Sequence, residues 1–161
     1  MKTAVYPGSF DPITNGHMDI LTRSCGLFDK VYILVSDNPD KRCFFSTEER
    51  VSLISDAASH LKNAEIAVLK GLLADFVSKA NAQAIVRGLR AVSDFEYEFQ
   101  MALANRELNP KAETVFLSAN SSHTFLSSSL VRQIASLGGN IAPFVPDSIL
   151  SKVMEKFGQS S

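Results

Sequence analysis

Val31-Tyr32-Ile33-Leu34-Val35-Ser36 is a nearly unbroken apolar run. A strand with one wet face alternates apolar and polar residues. A run without alternation reads as a strand covered on both faces, which is the condition of a parallel sheet. Parallel neighbours need long crossovers, so helices must stand between the strands. The rest of the chain supplies them. Strands are expected at Thr3–Tyr6, Glu65–Leu69, Ala84–Val86 and Glu113–Leu117. Between them lie amphipathic segments: Met18–Leu27, a helix opened by the capping box Ser46-Thr47-Glu48-Glu49, and a short helix near Ala74–Ala80. A longer helix is capped by Ser93-Asp94 and stopped by Asn109-Pro110. Ser127-Ser128-Ser129 opens a further helix that ends at Gly138-Gly139, and Pro146-Asp147-Ser148 opens the last. The order predicts the α/β class: a single doubly wound five-stranded parallel sheet, in one domain over residues 1–161.

The 94–108 helix carries two apolar stripes, Phe95, Phe99 and Leu103, and Tyr97, Met101 and Leu108. One stripe is enough to dock on a sheet, so Phe95 and Phe99 are expected in the core. The second suits a subunit contact or a second core layer.

A net charge of -1 gives no global field for nucleic acid, so no nucleic-acid partner is expected. No apolar run reaches membrane-spanning length and no signal-peptide pattern precedes Thr3, so no membrane partner is expected either. Cys25 and Cys43 form no metal-ligand spacing and no C-x-x-C. Two lone cysteines fit a reducing, cytoplasmic location.

In a doubly wound sheet, ligands lie beyond the carboxyl ends of the strands. The first strand leads into Gly8-Ser9-Phe10-Asp11-Pro12-Ile13-Thr14-Asn15-Gly16-His17, a polar loop feeding a helix start. The second leads to Lys41 and Arg42, the third to Leu72 and Leu73, the fourth to Arg87 and Arg90, the fifth to His123 and the serine helix start. Cations and two helix N-termini converge on one edge, which suits a polyphosphate and phosphoryl- or nucleotidyl-transfer chemistry. Either arginine could instead pair with Asp94 or Glu96. There is no Walker loop and no G-x-G-x-x-G, so a P-loop kinase and a dinucleotide dehydrogenase are disfavoured.

Thr14-Asn15-Gly16-His17 resembles the T/H-x-G-H signature of the nucleotidyltransferase superfamily, and Phe125-Leu126-Ser127-Ser128-Ser129-Leu130-Val131-Arg132 resembles its second motif. With Tyr6 to His17, Arg87-Gly88-Leu89-Arg90 and Asp94-Phe95-Glu96-Tyr97-Glu98, the chain resembles the bacterial phosphopantetheine adenylyltransferases over nearly its whole length. Position 9 is Ser where Thr is frequent in the family, and Ser122-His123-Thr124-Phe125 replaces a more usual aromatic-Ser-Phe pattern. The resemblance implies a Rossmann-like nucleotidyltransferase fold and transfer of AMP from ATP to 4′-phosphopantetheine, giving dephospho-coenzyme A and pyrophosphate in coenzyme A biosynthesis. It implies a requirement for Mg²⁺; the chain shows no cluster of carboxylates for an all-protein metal cage, so the ion is expected to arrive with ATP. It also implies coenzyme A or dephospho-coenzyme A as product-like ligands, and a homohexamer.

Carried over by position, the resemblance makes His17, Lys41 and Arg90 the catalytic set. Ser9, Lys41, Leu73 and Arg87 would hold the acceptor. Ser9, Phe10, His17, Gly88, Leu89, Arg90 and Glu98 would meet ATP, with His123, Thr124, Phe125, Leu126, Ser127, Ser128 and Ser129 from the second motif. Two rival readings stay open: another adenylyl- or cytidylyltransferase of the superfamily, and a non-catalytic nucleotide-binding module on the same fold.

Overall fold

The computed structural model describes residues 1–38, 40 and 42–158. Five parallel strands, β1 (Thr3–Gly8), β2 (Lys30–Ser36), β3 (Ala64–Leu69), β4 (Ala84–Leu89) and β5 (Glu113–Ser118), form one sheet in the order β3-β2-β1-β4-β5. The helices are α1 (Asn15–Leu27), α2 (Thr47–Ala57), α3 (Leu73–Lys79), α4 (Val92–Leu108), α5 (Ser128–Ser136) and α6 (Asp147–Lys156), with a 3-10 turn at Ser121–His123.

Strand side chains alternate between two apolar layers, as the period of two requires. Ala4, Tyr6, Val31, Ile33, Val35, Ala84 and Val86 face a larger core shared with α1, α2, α5 and α6. Val5, Leu34 and Ile85 face a smaller one, closed by Val77 of α3 and by Ala82 and Ala112. The central strands are therefore covered on both sides, as the Val31–Ser36 run predicts.

β1 pairs with β2 from Thr3↔Lys30 to Gly8↔Val35, but with β4 only at Ala4↔Ala84 and Val5↔Ile85. Proline has no N–H to give to a ladder, and the β4 pairing stops two residues before Pro7. Beyond that point β1 and β4 are no longer paired. Connections run to opposite sides of the sheet here, so this is also the topological switch point.

Several boundaries differ from expectation. α1 begins at Asn15, not Met18, because Thr14 caps it. α4 begins at Val92 behind Ala91, without a side-chain cap, and Ser93 and Asp94 lie in its first turn. The expectation that Phe95 and Phe99 are core is corrected. They are 45% and 46% exposed, and the only buried residue of α4 is Glu98. Phe95 meets the sheet at Phe116, at 6.0 Å between ring centroids.

Candidate active site

A cavity of about 310 Å³ opens at the β1/β4 switch point. Tyr6, Pro7 and Gly8 line it from β1, and Arg87 and Gly88 from β4. The loop after β1 curls over its floor. Phe10 is buried with a φ of +49°. Its ring lies edge-on to Tyr6 at 5.4 Å and to His17 at 5.1 Å. Gly8 is required beneath it, since a Cβ there would stand 2.9 Å from Phe10 Cζ.

His17 is held by a reciprocal cap. The Thr14 side chain accepts the His17 N–H (3.3 Å), and the His17 Nδ1 accepts the Thr14 N–H (3.0 Å). Glu or Gln is the usual third residue of such a box. Here an imidazole fills that place, and the cap selects its tautomer: the proton of the neutral ring is on Nε2. Burial first, then the Arg90 and Arg87 charges, lower its pKa from 6.5 to about 4. His17 is therefore a neutral hydrogen-bond donor over the physiological range.

The cations come from β4 and the turn after it. Arg87 donates Nε and Nη2 to the two carboxylate oxygens of Glu98, at 2.7 and 2.6 Å, and Nη1 to Pro7 O at 3.0 Å. Burial is the largest influence and disfavours its charge, but the hydrogen bond and charge of Glu98, with Tyr6 and Tyr97 behind them, together raise its pKa. Arg90 donates to Leu126 O (3.0 Å) and to Asp94 (3.3 Å). Of the two pairings left open for the arginines, Asp94 takes Arg90, whereas Arg87 binds Glu98 instead.

On the far wall stand His123, Leu126, Ser127 and Ser128. Ser127 Oγ caps α5 by accepting the Leu130 N–H, and Ser128 Oγ donates to Pro12 O at 2.7 Å. With those hydroxyls engaged, the Ser128 N–H at the helix start is what a bound anion can use. His123 Nδ1 is buried without a hydrogen-bond partner among the described residues.

Ser9, Phe10, His17, Arg87, Gly88, Arg90, Glu98, His123, Leu126, Ser127 and Ser128 are brought together around this cavity. Leu89, Thr124, Phe125 and Ser129 do not line it, and Phe125 is 58% exposed with its ring against Phe144. Leu73 packs on the smaller core at the start of α3, away from the cavity lining. Lys41 lies outside the described residues.

Sequence reasoning missed three groups that shape the site. Asp94, expected as a cap, lines the cavity. Asp11 is buried and accepts the Phe44 and Phe45 N–H groups. Arg50 is buried and donates to Ser9 O (2.7 Å), Ser36 O (2.9 Å) and Thr47 Oγ1 (3.1 Å), joining the exits of β1 and β2. A signal for Arg50 exists: it shares a helical face with Leu53, Ile54 and Ala57. A cation on an apolar stripe needs buried acceptors.

The cytidylyltransferase-like family model matches residues 5–134. A phosphopantetheine adenylyltransferase from Caldanaerobacter subterraneus is 51% identical over 160 residues, 99% of this chain and 100% of that one. One from Clostridium botulinum (strain Eklund 17B) is 53% identical over 156 residues, 97% and 98% of the two chains. This chain belongs to the phosphopantetheine adenylyltransferase family. The crystal structure of a candidate nicotinate-nucleotide adenylyltransferase from Vibrio parahaemolyticus superposes with a TM-score of 0.74 at 16% identity, covering 100% of this chain and 98% of that one. At that identity the likeness concerns the fold. Within the phosphopantetheine adenylyltransferase family, the T-x-G-H loop and the serine helix start of this chain are the two walls of one cavity.

Proposed function

We propose that the chain, acting as one domain over residues 1–161, transfers the adenylyl group of ATP to 4′-phosphopantetheine and releases pyrophosphate and dephospho-coenzyme A. The observation that carries the reading is His17. It is a neutral donor of fixed tautomer in a cavity that also holds Arg87, Arg90 and the start of α5. The acceptor follows the name of the full-length relatives.

The nucleophile is a phosphate oxygen of the acceptor, already ionised near neutral pH, so no strong base is needed. The protein's work is positioning and charge stabilisation. Lys41 and Arg87 orient the attacking phosphate, with Ser9 beside it; Leu73, which does not line the cavity, would meet the acceptor outside it. The new bond forms at the α-phosphorus as the bond to pyrophosphate breaks. His17 Nε2–H donates to the α-phosphate oxygens while negative charge moves to the leaving group. Arg90 and the α5 start receive that charge. Glu98 acts through Arg87, which it holds bidentately. Mg²⁺ would arrive with ATP and offset the charge of the departing pyrophosphate.

Coenzyme A and dephospho-coenzyme A fit the same reading as product-like ligands. A cytoplasmic setting is supported by Cys25 and Cys43, both unpaired. Among the described residues no helix is long and apolar enough to cross a membrane. A homohexamer is supported by the exposed apolar side chains of α4, including Phe95, Tyr97, Phe99 and Leu103.

The test is acceptor choice. Pyrophosphate release from MgATP is measured with 4′-phosphopantetheine and with nicotinamide mononucleotide. Turnover with the first alone is expected. Turnover with the second alone assigns the chain another acceptor, and ATP binding without turnover on either reduces it to a binding module.

A further inference from the structure

Asp11 belongs to no reacting group in the mechanism above, yet it is where three site-bearing segments meet. Its carboxylate is buried in the loop after β1, two residues beyond Ser9. Oδ2 accepts the Phe44 N–H and Oδ1 the Phe45 N–H, both at 2.8 Å. These amides belong to the segment between β2 and α2, which in sequence also carries Lys41 and Arg42. Arg132 of α5 stands 3.4 Å from Oδ2 and donates to the Asp11 carbonyl at 2.6 Å. The same helix begins with the serines of the far wall, and Ser128 Oγ reaches Pro12 O. On its other side Phe44 is stacked on Phe157 at 4.3 Å, so its ring is held outward while its N–H points in.

We infer that Asp11 is a positioning residue that fixes the acceptor-side segment against the transfer loop. The inference rests on the proposed function for its substrate, but the clasp itself is a statement about two amides. A carboxylate offers one oxygen to each amide, and the buried Phe45 N–H has no water to turn to instead. Asn in its place keeps one acceptor and turns an NH₂ group toward the other N–H. Two donors then face each other, and one amide must leave. The link to α5 is less affected, because Arg132 keeps the Asp11 carbonyl and Ser128 keeps Pro12 O. The substitution therefore acts on one side of the site.

Two measurements test this. In the wild-type protein, hydrogen exchange of the Phe44 and Phe45 amides should be slow, although Phe44 is partly exposed and neither residue lies in a strand or helix. Fast exchange at both overturns the inference, whatever the enzyme's acceptor and whether or not any variant folds. In D11N, the KM for 4′-phosphopantetheine should rise about tenfold, the loss expected for one charge-assisted bond. The KM for ATP should stay within about twofold, on the same scale of one bond kept or lost. D11E, which restores two acceptor oxygens, should recover part of the effect. A folded D11N with both KM values unchanged, or both raised together, overturns the positioning role, because a purely structural carboxylate would not separate the two substrates. If the wild-type enzyme does not use 4′-phosphopantetheine, the proposed function fails while the exchange result still decides the clasp.

Discussion

Gly8→Ala is the sharpest perturbation of the transfer loop. The added Cβ would lie 2.9, 3.0 and 3.2 Å from Phe10 Cζ, Cε2 and Cε1. Carbon atoms sit at about 3.5–4.0 Å at rest, so the overlap is roughly 0.5–1 Å against the ring edge. A flexible surface ring would swing away. Phe10 cannot, because it is only 2% exposed, its backbone is already at positive φ, and Tyr6 and His17 close on it edge-on. Forced overpacking of this kind costs about 1–3 kcal/mol, and urea unfolding should show that loss. A displaced ring presses on its two edge-on neighbours, Tyr6 and His17. A misplacement of about 1 Å at a transfer site costs on the order of 10²-fold in rate, so kcat should fall more than stability alone explains. Phe10→Leu in the same background should return part of both losses by making room. If Gly8→Ala has wild-type stability and kcat, Phe10 is not the rigid floor described above.

His17 makes two further claims. His17→Ala should lower kcat by about 10²–10³ with little change in the KM for ATP, since its donor strengthens as charge develops; unchanged kcat would remove it from the mechanism. Its depressed pKa also has a definite sign. The unfolded chain takes up this proton below about 6.5, whereas the native ring does so only near 4. Its contribution is complete above pH 6.5 and is lost as pH falls toward 4, up to about 3 kcal/mol. The imidazole resonances of His17 should accordingly not titrate between pH 5 and 8 by NMR, and a midpoint near 6.5 would refute the burial argument. Glu98→Gln removes the charge and one of the two acceptors that hold Arg87, and should cost about 1–3 kcal/mol in urea unfolding, with a raised KM for the acceptor because Arg87 is held less firmly. On α4, charged substitution at Leu103 should shift the species seen by light scattering to smaller assemblies; a wild-type chain that is already monomeric would withdraw the hexamer.

Much of the fold was legible because its signals are local. The Val31–Ser36 run, the Ser46–Glu49 box and Pro110 each act through neighbours a few residues away, and each gave its element. α4 was harder for the opposite reason. Phe95 and Phe99 are apolar enough for a core, but whether they are covered depends on something outside the helix, and periodicity cannot see it. The transfer loop and the serine helix start were legible through motif. Their anchors were not. Arg87 finds Glu98 eleven residues on, across a strand-to-helix turn. Asp11 finds partners 33 and 121 positions away, so it reads as one more polar loop residue. Thr14 with His17 was hidden differently, because the box signature expects Glu or Gln where the imidazole stands.

The short pairing of β1 with β4 has a consequence for how the protein is made. β1 leaves the ribosome first and finds β2 within about thirty residues, yet the cavity's second wall waits for Arg87 and Gly88. The α1 start waits longer still, since Asn15 is bonded to Phe144, whose carbonyl accepts its N–H. Contacts this distant in sequence form late and slowly. A nascent chain therefore carries its histidine motif long before it has anywhere to put a phosphate. A ligand that binds only the folded site stabilises the chain against the unfolded forms that compete with it.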